Sequence, residues 1–277
     1  VDKKGWLNAL KTVASQNGVR GVAKNSMVQS VVRLEKNRLD LNFVVEMDDV
    51  MLIGAEEGLY SYRPSISKVL TAIRGVKRVH QLTIHQNLGL ALMIAGEDRQ
   101  LVSCDLRQLK SNAMAADCSR PAISTKRILN GSESCHLYQL EKDMLCAATA
   151  SQVILLKYKS DENSGEFVPV RELETQEPCS CAIFTRQNLI VGCQKFFQID
   201  LKNYSVDDFP EEDDSSVKAT LAGIAKLGIF PVAVLNVSGG DKVELLLCYN
   251  EFGVFVDEYG RRTRIVDPTW SHLPFAF

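Results

Sequence analysis

The stretch Cys248-Tyr-Asn-Glu-Phe-Gly-Val-Phe-Val-Asp-Glu-Tyr-Gly-Arg-Arg-Thr-Arg264 decides the fold. An apolar run, Val243 to Cys248, leads into it. Asn250 and Gly253, residues that tolerate left-handed backbone, break the run before Val254, Phe255 and Val256 resume a β-branched and aromatic strand. Tyr259-Gly260 marks a second turn. Arg261-Arg262-Thr263-Arg264 is expected to begin a third strand with at least one face in water, which makes the whole an antiparallel meander.

The same apolar hairpin recurs upstream. Met51-Leu-Ile-Gly pairs with Leu59-Tyr-Ser-Tyr62, Leu92-Met-Ile-Ala with Leu101-Val-Ser-Cys104, and Met144-Leu-Cys-Ala-Ala with Val153-Ile-Leu-Leu156. Leu189-Ile-Val-Gly with Phe196-Phe-Gln-Ile199 follows, then Leu245-Leu-Leu-Cys with Val254-Phe-Val256. With turn centres at Glu57, Asp98, Ser151, Gln194 and Glu251, the steps are 41, 53, 43 and 57 residues. Two steps match a four-stranded propeller blade of about 40 to 45 residues. The longer two contain insertions, Leu106 to Ser134 and Val206 to Ser215. A small twisted sheet cannot bury both its faces alone, whereas blades stacked around an axis bury one another's. The expectation is an all-β β-propeller of about five blades, with Trp270 to Phe277 as the entry strand of a sixth. A two-sheet sandwich is disfavoured because roughly seventeen strands exceed what one normally holds.

Composition fits an ordinary globular domain: 45% hydrophobic and 24% charged residues allow a core and exclude a disordered or fibrous chain. No apolar run approaches the roughly 20 residues that cross a bilayer as a helix, and the N-terminus lacks the apolar core of a signal peptide, so a cytoplasmic location is expected. The net charge of −2 conceals a split, since residues 1–44 carry eight Lys or Arg against three acids. Within that segment, Trp6, Leu7, Leu10, Val13 and Ala14 follow a helical period up to Asn17-Gly18, and residues 18–40 read as a basic linker. Such a linker is either simply solvated or in contact with an acidic membrane surface.

Catalytic signatures are absent from the sequence. Glu251-Phe252-Gly253 is a hairpin turn and not the metal-binding Asp-Phe-Gly of kinases, because no catalytic loop or phosphate loop accompanies it. The histidines at 80, 85, 136 and 272 form no His-Glu-x-x-His, and no Gly-x-Ser-x-Gly occurs. The eight cysteines, at 104, 118, 135, 146, 179, 181, 193 and 248, lack metal-ligand spacing and read as reduced structural thiols; Cys179 and Cys181 are expected on one face of a strand. No catalytic residue, metal or cofactor is therefore expected. Six acids between Asp207 and Asp214 read as a solvated loop that would repel nucleic acid.

The segment 248–264 resembles the signature of the citron homology (CNH) domain, a β-propeller module of Rho-family effector kinases and some exchange factors. Gly54-Ala-Glu-Glu-Gly-Leu-Tyr60, Leu92-Met-Ile-Ala-Gly-Glu97, Glu177-Pro-Cys-Ser-Cys181, Lys195-Phe-Phe-Gln-Ile-Asp200 and Trp270-Ser-His-Leu-Pro274 support the resemblance, with the citron kinase-like type favoured. It implies a ring of about seven blades, so that residues 41–277 would be a propeller truncated at its C-terminal end. Residues 1–17 resemble the closing helix of a pleckstrin homology domain, whose lipid-binding loops would lie elsewhere.

The resemblance further implies a non-catalytic scaffold that places a parent serine/threonine kinase at the cleavage furrow and midbody during cytokinesis. The implied partners are Rho-family small GTPases, kinesins and other contractile-ring or midbody proteins. A related myotonic-dystrophy-type kinase, a Rho exchange factor or a membrane-recruitment module is the alternative. The candidate interaction residues are Arg261, Arg262 and Arg264, with Asp257 and Glu258. The arginines either grip carboxylates of a partner or lock neighbouring blades through ion pairs to Asp257 or Glu258.

Overall fold

The computed structural model describes residues 39–66, 69–115, 117, 119–131, 133–160, 165–210, 228–239 and 243–272. The pleckstrin-type helix, nearly all of the basic linker, the acids at 211–214 and the residues after 272 lie outside the described residues.

Among the described residues, five antiparallel sheets follow one another along the chain, each a meander whose strands neighbour in sequence order. Blade 1 comprises β1 (Leu41–Met47), β2 (Val50–Ala55), β3 (Gly58–Tyr62) and β4 (Thr71–Ile73). Blade 2 comprises β5 (Val79–His85), β6 (Leu90–Ala95), β7 (Gln100–Asp105) and β8 (Thr125–Arg127). Blade 3 runs through β9 (Leu137–Glu141), β10 (Met144–Ala148), β11 (Gln152–Ser160) and β12 (Gly165–Glu174). Blade 4 holds β13 (Cys181–Phe184), β14 (Asn188–Gly192), β15 (Phe196–Asp200) and β16 (Val206–Asp208), and blade 5 holds β17 (Pro231–Asn236), β18 (Glu244–Tyr249) and β19 (Gly253–Asp257). The five hairpins expected from the repeat are the second and third strands of the five blades.

The period of two along the second strands shows how the blades stack. On β6, Ala91, Met93 and Ala95 enter the core shared with blade 1, while Leu92 and Ile94 enter the core shared with blade 3. On β10, Leu145 and Ala147 face blade 2, and Cys146 and Ala148 face blade 4. On β14, Leu189 and Val191 face blade 3, and Ile190 faces blade 5. A strand buried on both faces needs no polar alternation, which is why these segments read as continuous apolar runs. Tyr138 fixes the junction of blades 2 and 3: its buried hydroxyl donates to Leu92 O at 2.8 Å and lies 3.0 Å from the Thr83 hydroxyl oxygen, which is free to donate back to it.

The structure corrects three expectations. Arg261–Arg264 does not form a strand; its backbone pairing with blade 5 is the isolated bridge of Val256 with Arg262, and a second isolated bridge joins Phe252 to Thr269. The additional strand of that meander lies on the other side, as β17. Asp207 and Asp208 belong to β16 and not to a loop, with Lys195 Nζ 2.5 Å from Asp208 Oδ2. Cys179 and Cys181 also part company. Cys179 precedes the strand and enters the core between blades 3 and 4, whereas Cys181 begins β13 and enters the core between blades 4 and 5.

The first insertion contains a helix, α1 (Leu106–Ala113), which sits between the third and fourth strands of blade 2. Asp105 caps it by accepting the Gln108 N–H at 2.9 Å. Leu106, Leu109 and Ala113 share one helix face and extend the first inter-blade core. Arg63 holds the far end, donating to Met114 O at 2.9 Å and Ala115 O at 3.0 Å. Trp270 lies against blade 5, where Nε1 donates to Tyr249 O at 3.0 Å. Among the described residues, no helix is long and apolar enough to cross a membrane.

Seven described cysteines are buried free thiols. Burial raises Cys104 and Cys181 to about 12, and Cys135 and Cys248 to about 11, from an ordinary value of 9.0. Each group therefore keeps its proton in the fold while the unfolded chain loses its own as pH passes 9. The stability these thiols contribute is expected to be constant below that point and to fall progressively between pH 9 and about 11 to 12. Urea midpoints measured across this range check it, and a midpoint that rises above pH 9 would contradict the burial of these thiols.

Candidate protein-interaction surface at the junction of blades 4 and 5

The turn after β19 is built by Asp257. Its Oδ1 accepts the backbone N–H groups of Tyr259 and Arg261, each at 2.9 Å, and its own N–H donates to Arg261 O at 2.9 Å. The Gly260 N–H donates to Asp257 O at 3.1 Å, which closes the turn. Gly260 sits so close to the end of blade 4 that an added Cβ would lie 2.6 Å from Pro210 Cβ. Glycine at this position lets the turn press against blade 4.

This contact leaves a cleft of about 370 Å³ between the two blades. Glu258, Tyr259, Gly260 and Arg261 form one wall. The polar ends of blade 4 form the other, with Asn188, Gln198, Asp200, Ser205 and Asp207 prominent. Tyr259 is 62% exposed, and Arg261 Cζ lies 6.0 Å from its ring centroid. The N–H groups of Asn203 and Lys202, at 2.9 and 2.7 Å, hold the Asp200 carboxyl below the usual carboxylate range. The cleft is thus lined by carboxylates, amides, one guanidinium and an exposed aromatic ring. This mixture suits recognition of a polar protein surface better than an apolar small molecule.

The five residues expected to form an interaction site divide three ways. Arg261 and Glu258 line the cleft, and Asp257 builds the turn that presents them. Arg262 and Arg264 are drawn into blade 5. Arg262 Nη1 grips Asp267 at 2.7 and 2.8 Å, with its side chain only 14% exposed. Arg264 Nε donates to Glu244 Oε1 at 3.0 Å, and its guanidinium stacks 3.9 Å from the Phe255 centroid. These ion pairs run to Asp267 and Glu244 in place of the expected Asp257 and Glu258; the Glu244 pair fastens the segment after β19 onto β18, and the Asp267 pair closes that segment on itself. The strand needed to present Arg262 and Arg264 side by side is not formed.

Glu251, Phe252 and Gly253 lie at the β18–β19 hairpin, where the Tyr249 N–H donates to Phe252 O at 2.8 Å. The histidines are dispersed. His136 Nε2 lies 2.7 Å from Cys179 O, His85 Nδ1 accepts the Leu88 N–H, and His80 lies 3.5 Å from Glu56. Among the described residues, no group of three or more His, Cys, Asp or Glu side chains could hold a metal ion.

A family model described as the CNH domain matches residues 47–277. Citron Rho-interacting kinase of Homo sapiens is 37% identical over 287 aligned residues, which cover 100% of this chain and 14% of that protein. The chain therefore spans about one seventh of the length of this relative. Serine/threonine-protein kinase MRCK alpha of Rattus norvegicus is 25% identical over 232 residues, covering 80% of the chain and 12% of the kinase. Among solved structures, the AfRom2 CNH domain superposes with a TM-score of 0.68 at 20% identity, covering 87% of this chain and 76% of that one.

Proposed function

The chain belongs to the CNH domain family, and we propose that it is a non-catalytic protein-interaction domain of a citron kinase-like Rho effector. The observation that carries this reading is the 37% identity to a Rho-interacting kinase, sustained across the whole chain. Catalysis by the parent kinase would reside on another segment. The partner is a Rho-family small GTPase, with kinesin and other contractile-ring proteins as further ligands, and the role is to place the kinase at the cleavage furrow and midbody. Stacked blades suit such work because the core stays rigid while rim turns carry recognition. The cleft between blades 4 and 5 is the surface proposed for contact, since Glu258, Tyr259 and Arg261 are presented there by a pinned turn.

The test is binding of the domain to a Rho-family GTPase carrying either GDP or a non-hydrolysable GTP analogue. Charge reversal at Glu258 and Arg261, as Glu258→Arg and Arg261→Glu, is expected to weaken binding by about ten-fold at an unchanged melting temperature. Arg264→Glu is expected to lower the melting temperature and leave affinity alone, because its fork serves Glu244. No binding of the GTPase in either nucleotide state would defeat the reading. Binding that survives both cleft reversals would move the contact elsewhere on the propeller.

A further inference from the structure

We propose that Thr263 is a phosphorylation site, and that its phosphate takes the guanidinium of Arg264 away from Glu244. Thr263 is exposed and lies in neither helix nor strand. Its segment is held to blade 5 by the bridge between Val256 and Arg262, which includes the Thr263 N–H donated to Phe255 O at 3.0 Å, and by the side-chain contacts of Thr263 and Arg264 with Glu244 and of Arg264 with Phe255. Such a segment can be lifted into the extended form that a kinase cleft accepts without unfolding a blade. Arg261 and Arg262 precede the hydroxyl and Arg264 follows it, which is the charge pattern read by a kinase that favours basic substrates.

The hydroxyl already touches an anion. Thr263 Oγ1 donates to Glu244 Oε1 at 2.6 Å, and the same carboxylate receives Arg264 Nε at 3.0 Å and Nη2. Glu244 therefore stands where a phosphate on Thr263 would have to be placed. In the reaction, Thr263 Oγ attacks the γ-phosphorus of ATP, its proton passes to the general base of the kinase, and ADP leaves with the bridging oxygen. The new group carries about −1.5 to −2 charge at neutral pH and offers three acceptor oxygens to a guanidinium. It cannot share one site with the Glu244 carboxylate without like-charge repulsion. The phosphate makes the stronger bidentate pair with Arg264, and Glu244 is displaced. Arg264 keeps its stacking on Phe255, so the exchange occurs on a fixed platform.

The test incubates the domain with Mg-ATP and the catalytic fragment of protein kinase C, beside a synthetic peptide of residues 257–268, and locates phosphate by mass spectrometry. Incorporation at Thr263 of the folded domain is expected, with nearly all of it lost in Thr263→Ala. Phosphate on the peptide but not on the folded domain would overturn the proposal, as would failure of both or modification only at other residues. The exchange is read separately by NMR. The Arg264 Nε–H resonance is expected to move on phosphorylation, and an unmoved resonance at full incorporation would overturn the displacement of Glu244. A melting curve for Thr263→Ala that matches the parent excludes misfolding as the reason for lost incorporation.

Discussion

Phe196→Ala is expected to destabilise the domain by about 3–5 kcal/mol, the cost of removing a fully buried aromatic ring and leaving a cavity. Phe196 lies on β15 at 1% exposure, in the core that joins blades 4 and 5. Its ring meets Tyr249 edge-on, with centroids 5.3 Å apart and planes at 84°, and Tyr249 in turn stacks on Phe252 at 5.2 Å. An aromatic pair of this kind adds about 0.5–1.5 kcal/mol beyond area burial. On one side the ring packs against the bare backbone of Gly192, where an added Cβ would lie 3.1 Å from Phe196 Cε1, so no side chain at that position is available to fill the void. Phe197 supplies the internal comparison. It is only partly buried, packs towards blade 3, and carries Lys195 Nζ 5.3 Å from its ring centroid. Phe197→Ala is expected to cost clearly less. Urea unfolding of the two variants decides the point, and a larger loss at 197 than at 196 would invert the alternation on which the stacking of blades 4 and 5 depends.

That alternation also explains what could be read in the sequence. The second strand of every blade is legible because burial on both faces writes it as an apolar run, as in Leu189-Ile-Val and Leu245-Leu-Leu, and the third strand follows it across a short turn. Outer strands leave no such mark. β8 and β16 are three residues each and have no buried residue, so Thr125–Arg127 and Val206–Asp208 have no hydrophobic pattern to betray them. α1 did leave a signal, since Asp105 caps a run with Leu106, Leu109 and Ala113 on one face, but the pattern is short and sits inside an insertion. The candidate site was half legible. The turn at 257–261 follows from Asp257 and Gly260, whereas the wall around Asn188, Asp200 and Ser205 reaches it only through the stacking of two blades. The ion-pair partners of Arg262 and Arg264 are hidden in the sequence for the same reason. Those partners, Asp267 and Glu244, are set by the path of an irregular segment that no periodicity encodes.

Gly75→Ala is expected to destabilise the domain by on the order of 3 kcal/mol, because backbone strain and steric conflict act at the same atom. Gly75 has φ of +112°, a conformation that L side chains rarely adopt. A Cβ built there would lie 2.4 Å from Ile123 O and 2.8 Å from Ile123 N, so the obstacle is backbone and not the end of a flexible side chain. Ile123 cannot retreat cheaply. Its N–H donates to Arg74 O at 2.8 Å, and its side chain, 4% exposed, belongs to the core between blades 1 and 2. Relief would have to break that hydrogen bond or pull the end of the first insertion away from the core. Gly96 separates the two causes, since its φ is +85° but nothing lies within 4 Å of its added Cβ. Gly96→Ala meets backbone strain alone and is expected to cost about 1 kcal/mol, partly offset by the reduced freedom of the unfolded chain. Denaturant midpoints for the two variants test this directly. Equal losses at both positions would show that strain governs Gly75 as well, and that the approach of Ile123 to the link between blades 1 and 2 contributes nothing to stability.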